Sequence, residues 1–92
     1  MEFAIVKAGH DKGRIYLVDK AEGEYVYLVN GTTRPFDKSK KKNRKHIQPI
    51  KKFPEEIALI MEENVPKDQK VKKAIKRLQE HIYNQTPNNG TK

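Results

Sequence analysis

Ninety-two residues make one small domain with a thin core, because chains this short bury only about 60–65% of the surface they expose when unfolded. The absence of cysteine excludes a disulfide framework and thiolate metal sites, and no apolar run reads as a membrane span or a signal peptide, so a soluble cytoplasmic protein is expected. The net charge is +8 and unevenly spread, with four Lys/Arg against five Asp/Glu in residues 1–33 but nine against one in residues 34–52.

Residues 53–66 reverse the sign with four carboxylates and no base, and residues 67–92 hold seven basic and two acidic side chains. Cations gathered in two blocks point to a polyanion surface rather than to general solubility.

Two β-prone runs open the chain at residues 3–7 and 14–19, joined by Ala8-Gly9-His10-Asp11-Lys12-Gly13. Glycines in that loop allow a partner close to main-chain N–H groups, and Lys12 and Arg14 beside them suit phosphate oxygens. Taken alone, the glycines are equally explained by a tight connection, with Asp11 making an Asx-type turn or pairing with Arg14. Residues 20–24, with Gly23 among them, form the next turn, and residues 25–29 read as a third strand.

In that strand Val26 and Leu28 face one way while Tyr25, Tyr27 and Val29 face the other. Both sets are apolar enough for burial, as in a barrel partly covered by a helix. Asn30-Gly31 carries the strongest hairpin signal, a type I′ turn with positive φ at both central positions. It predicts a short returning strand at 32–34, ended by Pro35, and a fifth strand at 46–50.

Between these two strands runs Lys38-Ser39-Lys40-Lys41-Lys42-Asn43-Arg44-Lys45. Repulsion among its cations predicts an extended, mobile basic loop over residues 37–45. Such a loop either keeps the protein solvated or neutralises nucleic-acid phosphates and orders on contact. In the second case Ser39, Asn43 and His46 add hydrogen bonds to sugar or base. Tyr16, Tyr25 and Tyr27 are expected to fill the core or its edge, whereas Phe36, beside the basic loop, is the aromatic best placed to stack on a base.

The second half turns helical. Phe53-Pro54-Glu55-Glu56 opens one helix, whose carboxylates favour the positive dipole end, and Ile57, Ile60 and Met61 share a face. Residues 64–67, with Pro66, break it, and Asp68 is the expected N-cap of a second helix running to Tyr83. At about 100° per residue, Val71, Ala74, Ile75, Leu78 and Ile82 form an apolar stripe opposite Lys70, Lys72, Lys73, Lys76 and Arg77. That cationic arc fits a solvated face, a second phosphate-binding surface or a contact with an acidic protein. Residues 84–92 are polar and are expected to be disordered.

Three segments in order carry a family resemblance: Ala8-Gly9-His10-Asp11-Lys12-Gly13, Val29-Asn30-Gly31-Thr32-Thr33-Arg34 and Lys42-Asn43-Arg44-Lys45-His46-Ile47-Gln48. The first resembles the KOW motif, a strand-loop-strand unit whose near-obligatory glycine falls on Gly13. More narrowly, residues 1–50 resemble the short bacterial KOW-domain RNA-binding proteins related to the large-subunit ribosomal protein fourteen-e group; the helical tail fits more loosely. The resemblance implies an SH3-like barrel, contact with RNA through Lys12, Gly13 and Arg14, and ribosomal RNA on the large subunit as the partner.

The expected architecture is mainly β with α: a small SH3-like β-barrel of five strands in residues 1–52, two helices in 53–83 and a tail in 84–92. Candidate RNA contacts are Gly9, His10, Lys12, Gly13, Arg14, Arg34, Lys38, Lys40, Lys41, Lys42, Asn43, Arg44, Lys45 and His46, with Lys51 as a further cation. Phosphate contacts supply most of the expected affinity, and duplex RNA is read by shape because its major groove is too narrow for side chains. No cofactor, membrane or small-molecule substrate is expected. His10, His46 and His81 are scattered without metal-ligand spacing, and the adjacent pairs Glu55/Glu56 and Glu62/Glu63 diverge by about 100° on a helix, so catalysis has no constellation to rest on. Two rival readings are a protein-interaction module, docking through the acidic segment 55–63 and the helix stripe, and a non-specific DNA binder.

Overall fold

Five strands and two α-helices organise residues 1–85, the part of the chain described by this computed structural model. The strands are β1 (Glu2–Val6), β2 (Ile15–Glu22), β3 (Tyr25–Val29), β4 (Lys40–Asn43) and β5 (Ile47–Ile50), followed by α1 (Glu55–Met61) and α2 (Lys67–Gln85). All pairings are antiparallel and the strand order is β4-β3-β2-β1-β5. Pro49, which cannot donate a ladder hydrogen bond, sits on the edge strand β5.

Connectivity forces this sheet to curl. β4 and β5 form its opposite edges, yet only the 3-10 turn Arg44–His46 joins them. The Cα steps from Asn43 to Ile47 span at most about 14 Å, whereas the edges of a flat sheet of this width lie about 19 Å apart. The edges must therefore approach one another, which gives the half-barrel of a small SH3-like fold. A register shift between Val18 and Lys20 in the β2–β3 ladder adds a bend in the same region.

Curling gives the sheet an inner and an outer face, and both are buried. Ala4, Val6, Tyr16, Val26, Leu28 and Ile47 fill the inside of the half-barrel. Phe3, Ile15, Leu17 and Val29 point outward and are covered by Ile57 and Ile60 of α1 and by Val71, Ala74, Ile75 and Leu78 of α2. Ile82 and Met61 are half-buried against this second cluster, so the apolar stripes of both helices face the sheet as their spacing predicts. Phe53 closes the corner edge-on to Phe3, with ring centroids 5.6 Å apart.

The fourth strand departs from expectation. Residues 32–34 are not a strand, and Asn30 does not take positive φ, so no type I′ turn forms. Its side-chain oxygen instead accepts from the backbone N–H of Thr32 and of Arg34, each at 2.9 Å, which bends the chain locally and sends it toward α2. The tight hairpin turn lies earlier, at Gly23 and Glu24. The strand that completes the β3 edge is Lys40–Asn43, inside the run where repulsion predicts a mobile loop. Backbone pairing to β3 prevails because alternation separates the charges: Lys40 and Lys42 pair opposite Leu28 and Val26, while Lys41 lies opposite Tyr27 on the other face.

Two further differences concern α2. Its first residue is Lys67, and Asp68 does not cap it; the Asp68 carboxylate accepts the backbone N–H of Phe36 at 2.9 Å and so ties the β3–β4 connection to the helix. The helix continues to Gln85, which takes in Asn84 and Gln85 of the expected tail; the remainder of that tail, 86–92, lies outside the described residues.

Gly31 makes this docking possible. A Cβ at this position would lie 2.1 Å from the Asp68 carbonyl oxygen and 3.0 Å from the Lys72 nitrogen, and its φ is +80°. Gly31→Ala is expected to lower the unfolding free energy by about 2–4 kcal/mol, from left-handed backbone strain plus a clash with helix backbone. Gly13→Ala, with φ of +90° but nothing within 4 Å, should cost only about 1–2 kcal/mol. Urea denaturation of the two variants checks the difference.

Candidate nucleic-acid interface

The loop over residues 7–14 is a compact knot of backbone hydrogen bonds. Gly13 N–H donates to Val6 O at 2.8 Å, Arg14 N–H to Asp11 O at 2.9 Å, and Lys12 N–H to Gly9 O at 3.1 Å. Gly13 reaches its bond only with positive φ, which gives this position its requirement for glycine. Gly9, His10, Lys12, Gly13 and Arg14 are all exposed on the loop.

Asp11 turns inward and fixes the loop to the barrel. Its side chain is only 16% exposed; Lys40 Nζ donates to its Oδ2, and Arg14 Nε lies 3.9 Å from its Oδ1. The buried Tyr16 lies within electrostatic reach of this carboxylate. The hydrogen bond from Lys40 holds the Asp11 carboxyl below its usual value against the opposing effect of desolvation, with the charges of Lys40 and Arg14 adding to it. Burial pushes the Tyr16 phenol up, and Arg14 and Arg34 both lie within electrostatic reach of it.

β4 supplies a second clamp. Lys42 Nζ donates to Ala8 O at 3.3 Å, and an added Cβ on Gly9 would sit 3.4 Å from the same ammonium. The 3-10 turn after β4 is tied on both sides: Arg44 N–H donates to Glu24 O and Lys7 N–H to His46 O, each at 2.7 Å. Asn43 caps that turn by accepting the Lys45 N–H at 3.0 Å. The glycine loop and the cationic strand-turn thus form one continuous surface, with Lys12, Arg14, Arg44 and Lys45 exposed upon it.

Several expected contacts have other duties. Lys40 and Lys42 are half-buried organisers of the loop rather than free cations of a mobile segment. Lys41 points to the opposite face, 4.4 Å over the Tyr25 ring. His46 and Arg34 are half-buried; the Arg34 carbonyl accepts the Asn30 and Gly31 N–H groups, main-chain bonds that do not engage its guanidinium. Lys38 is exposed at the end of the 3-10 turn Phe36–Lys38, and Lys51 is exposed just past β5. Phe36 is not a free stacking platform: it packs against the core, and Lys67 lies 4.5 Å over its ring. Tyr16 is core, and Tyr25 is an exposed edge residue.

Two of the four carboxylates in the acidic segment are paired within the chain. Glu63 pairs with Lys73 at 2.9 Å, and Glu56 with Arg77 at 3.0 Å, which ties α1 to α2. Among the described residues no three His, Asp or Glu side chains converge as a metal site would require, and no helix is long and apolar enough to cross a membrane. No family model matches the chain, and no curated protein matches it significantly.

The expected pairing of Asp11 with Arg14 is present, whereas its bond to Lys40, 29 positions away, has no local signal in the sequence. Because its carboxyl is depressed in the folded state, the stability it contributes is complete above the ordinary carboxylate value of 3.8 and is lost as pH falls through the lower folded value. Asp11→Asn should therefore be less stable at neutral pH, and its unfolding free energy should fall less steeply than that of the wild type below pH 3.8. Urea unfolding across an acid series measures both slopes; parallel slopes would count against the clamp.

Proposed function

We propose that the protein is a cytoplasmic RNA-binding module that sits on ribosomal RNA of the large subunit by phosphate contact. The observation that carries this reading is the joining of two segments distant in sequence: Lys40 bonds Asp11 and Lys42 bonds Ala8, pairs 29 and 34 residues apart. That junction sets the exposed cations Lys12, Arg14, Arg44 and Lys45 on one surface, the side chains suited to phosphate oxygens, while the N–H groups of Lys12, Gly13 and Arg14 are spent within the loop. Lys12, Arg14, Arg44 and Lys45 are the phosphate ligands of this reading. Gly9, His10, Gly13 and Asn43 shape the surface, and Lys40 and Lys42 hold it. A prebuilt surface suits the fixed geometry of folded RNA, which is recognised through backbone and 2′-hydroxyl positions. The ribosomal target follows from the KOW resemblance of residues 1–50 and from nothing in the electrostatics.

The ion pairs of Glu56 and Glu63 with α2 weigh against the rival in which the acidic segment recruits a protein partner. Filter binding to large-subunit ribosomal RNA, duplex DNA and heparin at two salt concentrations separates the remaining readings. Preference for the RNA at both concentrations is expected; equal affinity for all three would reduce the surface to a generic polycation. Alanine at Lys12, Arg44 and Lys45 should flatten the salt dependence by about 0.7–0.9 in log–log slope for each phosphate ligand removed. Lys40→Ala, by comparison, should lower thermal stability together with affinity.

A further inference from the structure

The cationic arc of α2 is divided by its surroundings. Lys73 and Arg77, one turn apart, face α1 and are neutralised by Glu63 and by Glu56 with Glu80. Lys72 and Lys76, also one turn apart but rotated by about 100°, have no carboxylate partner among the described residues. They line a groove of about 310 Å³ between α2 and the turn that begins at Asn30, and Arg14 of the glycine loop forms its far side. Thr32 and Gln79 add polar groups, and the Gln79 carboxamide has no hydrogen-bond partner among the described residues. No acidic side chain lines the groove. A cleft lined by one sign of charge over an apolar floor, here Ile15 and Ile75, focuses its field on a counter-ion.

We infer that this groove is a phosphate cleft that takes the RNA sugar-phosphate backbone onward from the glycine loop, with Arg14 shared between the two surfaces. The inference rests on the RNA-binding reading and adds a second contact, on helix α2, that the barrel alone does not provide. Its position is structurally determined. Val71, Ile75 and Leu78 must face the sheet, which fixes the rotation of α2 and sets Lys72 and Lys76 on the flank beside Arg14. Gly31, where an added Cβ would meet the Asp68 carbonyl, lets the turn that carries Asn30 and Thr32 lie close against the helix.

The test compares two double variants that remove equal charge from exposed positions of one helix. Lys72→Ala with Lys76→Ala empties the groove, and Lys73→Ala with Arg77→Ala strips the paired flank; helix content and thermal midpoint confirm that both fold. In titrations with large-subunit ribosomal RNA the groove variant should lose at least tenfold in affinity, with a log–log salt slope lower by about 1.4–1.8, as expected for two phosphate ligands. The flank variant should change by less than threefold. Adding Arg14→Ala to the groove variant should have a smaller effect than Arg14→Ala alone. Equal losses from the two double variants, or an unchanged groove variant, would overturn the inference while leaving RNA binding intact. A titration with inorganic pyrophosphate followed by NMR tests the cleft without RNA: shifts confined to Arg14, residues 30–32 and residues 72–79 are expected, and absent or scattered shifts would overturn it. A protein that binds no RNA yet shows those confined shifts would retain the phosphate cleft and lose the proposed function.

Discussion

A sheet that is apolar on both faces cannot stand with one face in water, and that constraint governs the rest of the molecule. The strands at the centre carry one set of side chains into the half-barrel and a second set, Phe3, Ile15, Leu17 and Val29, outward. Covering the outward set removes four large side chains from water, at roughly 1.5–3 kcal/mol each. The two helices supply that cover, and their placement follows from it. Once Leu78 and Val71 are seated, the polar residues of α2 have no freedom over which neighbours they meet. Charge pairing with α1 on one flank and exposure on the other are consequences of core packing, not separate features.

The barrel end shows the same economy with polar groups. A single carboxylate, Asp11, gathers Lys40 and Arg14 and so ties the loop to β4. Cations that would repel in an extended loop become tolerable beside a partly desolvated anion. The loop is thereby held in one conformation before any partner arrives, which lowers the ordering cost of association.

Much of this was legible in residue patterns and some was not, for definable reasons. Strands β1, β2 and β3 and the stripe of α2 follow from periodicity, because their local pattern and their burial agree. The interior facing of Val26 and Leu28, undecidable by polarity, needed the helices to be placed first. The strand in the lysine run was hidden because edge pairing to β3 is a long-range event that outweighs local repulsion. Asn30-Gly31 misled for a related reason. Its glycine serves contact with Asp68, and its asparagine serves a side-chain turn, two uses that leave the same dipeptide in the sequence as a hairpin does. At the candidate interface the glycine loop and the cationic arc of α2 stand out in the local pattern, while the Asp11–Lys40 bond and the division of that arc into paired and unpaired flanks depend on neighbours far along the chain.

The shared outer cluster has a consequence for how the chain is made. During translation the strands emerge before α2, so a growing chain that has released its first fifty residues presents an uncovered greasy surface. That surface persists until Leu78 has cleared the exit tunnel. The barrel segment is thus dependent on its carboxyl-terminal helix for shielding, and a ribosome stalled between the two would expose a ready target for chaperones and for self-association.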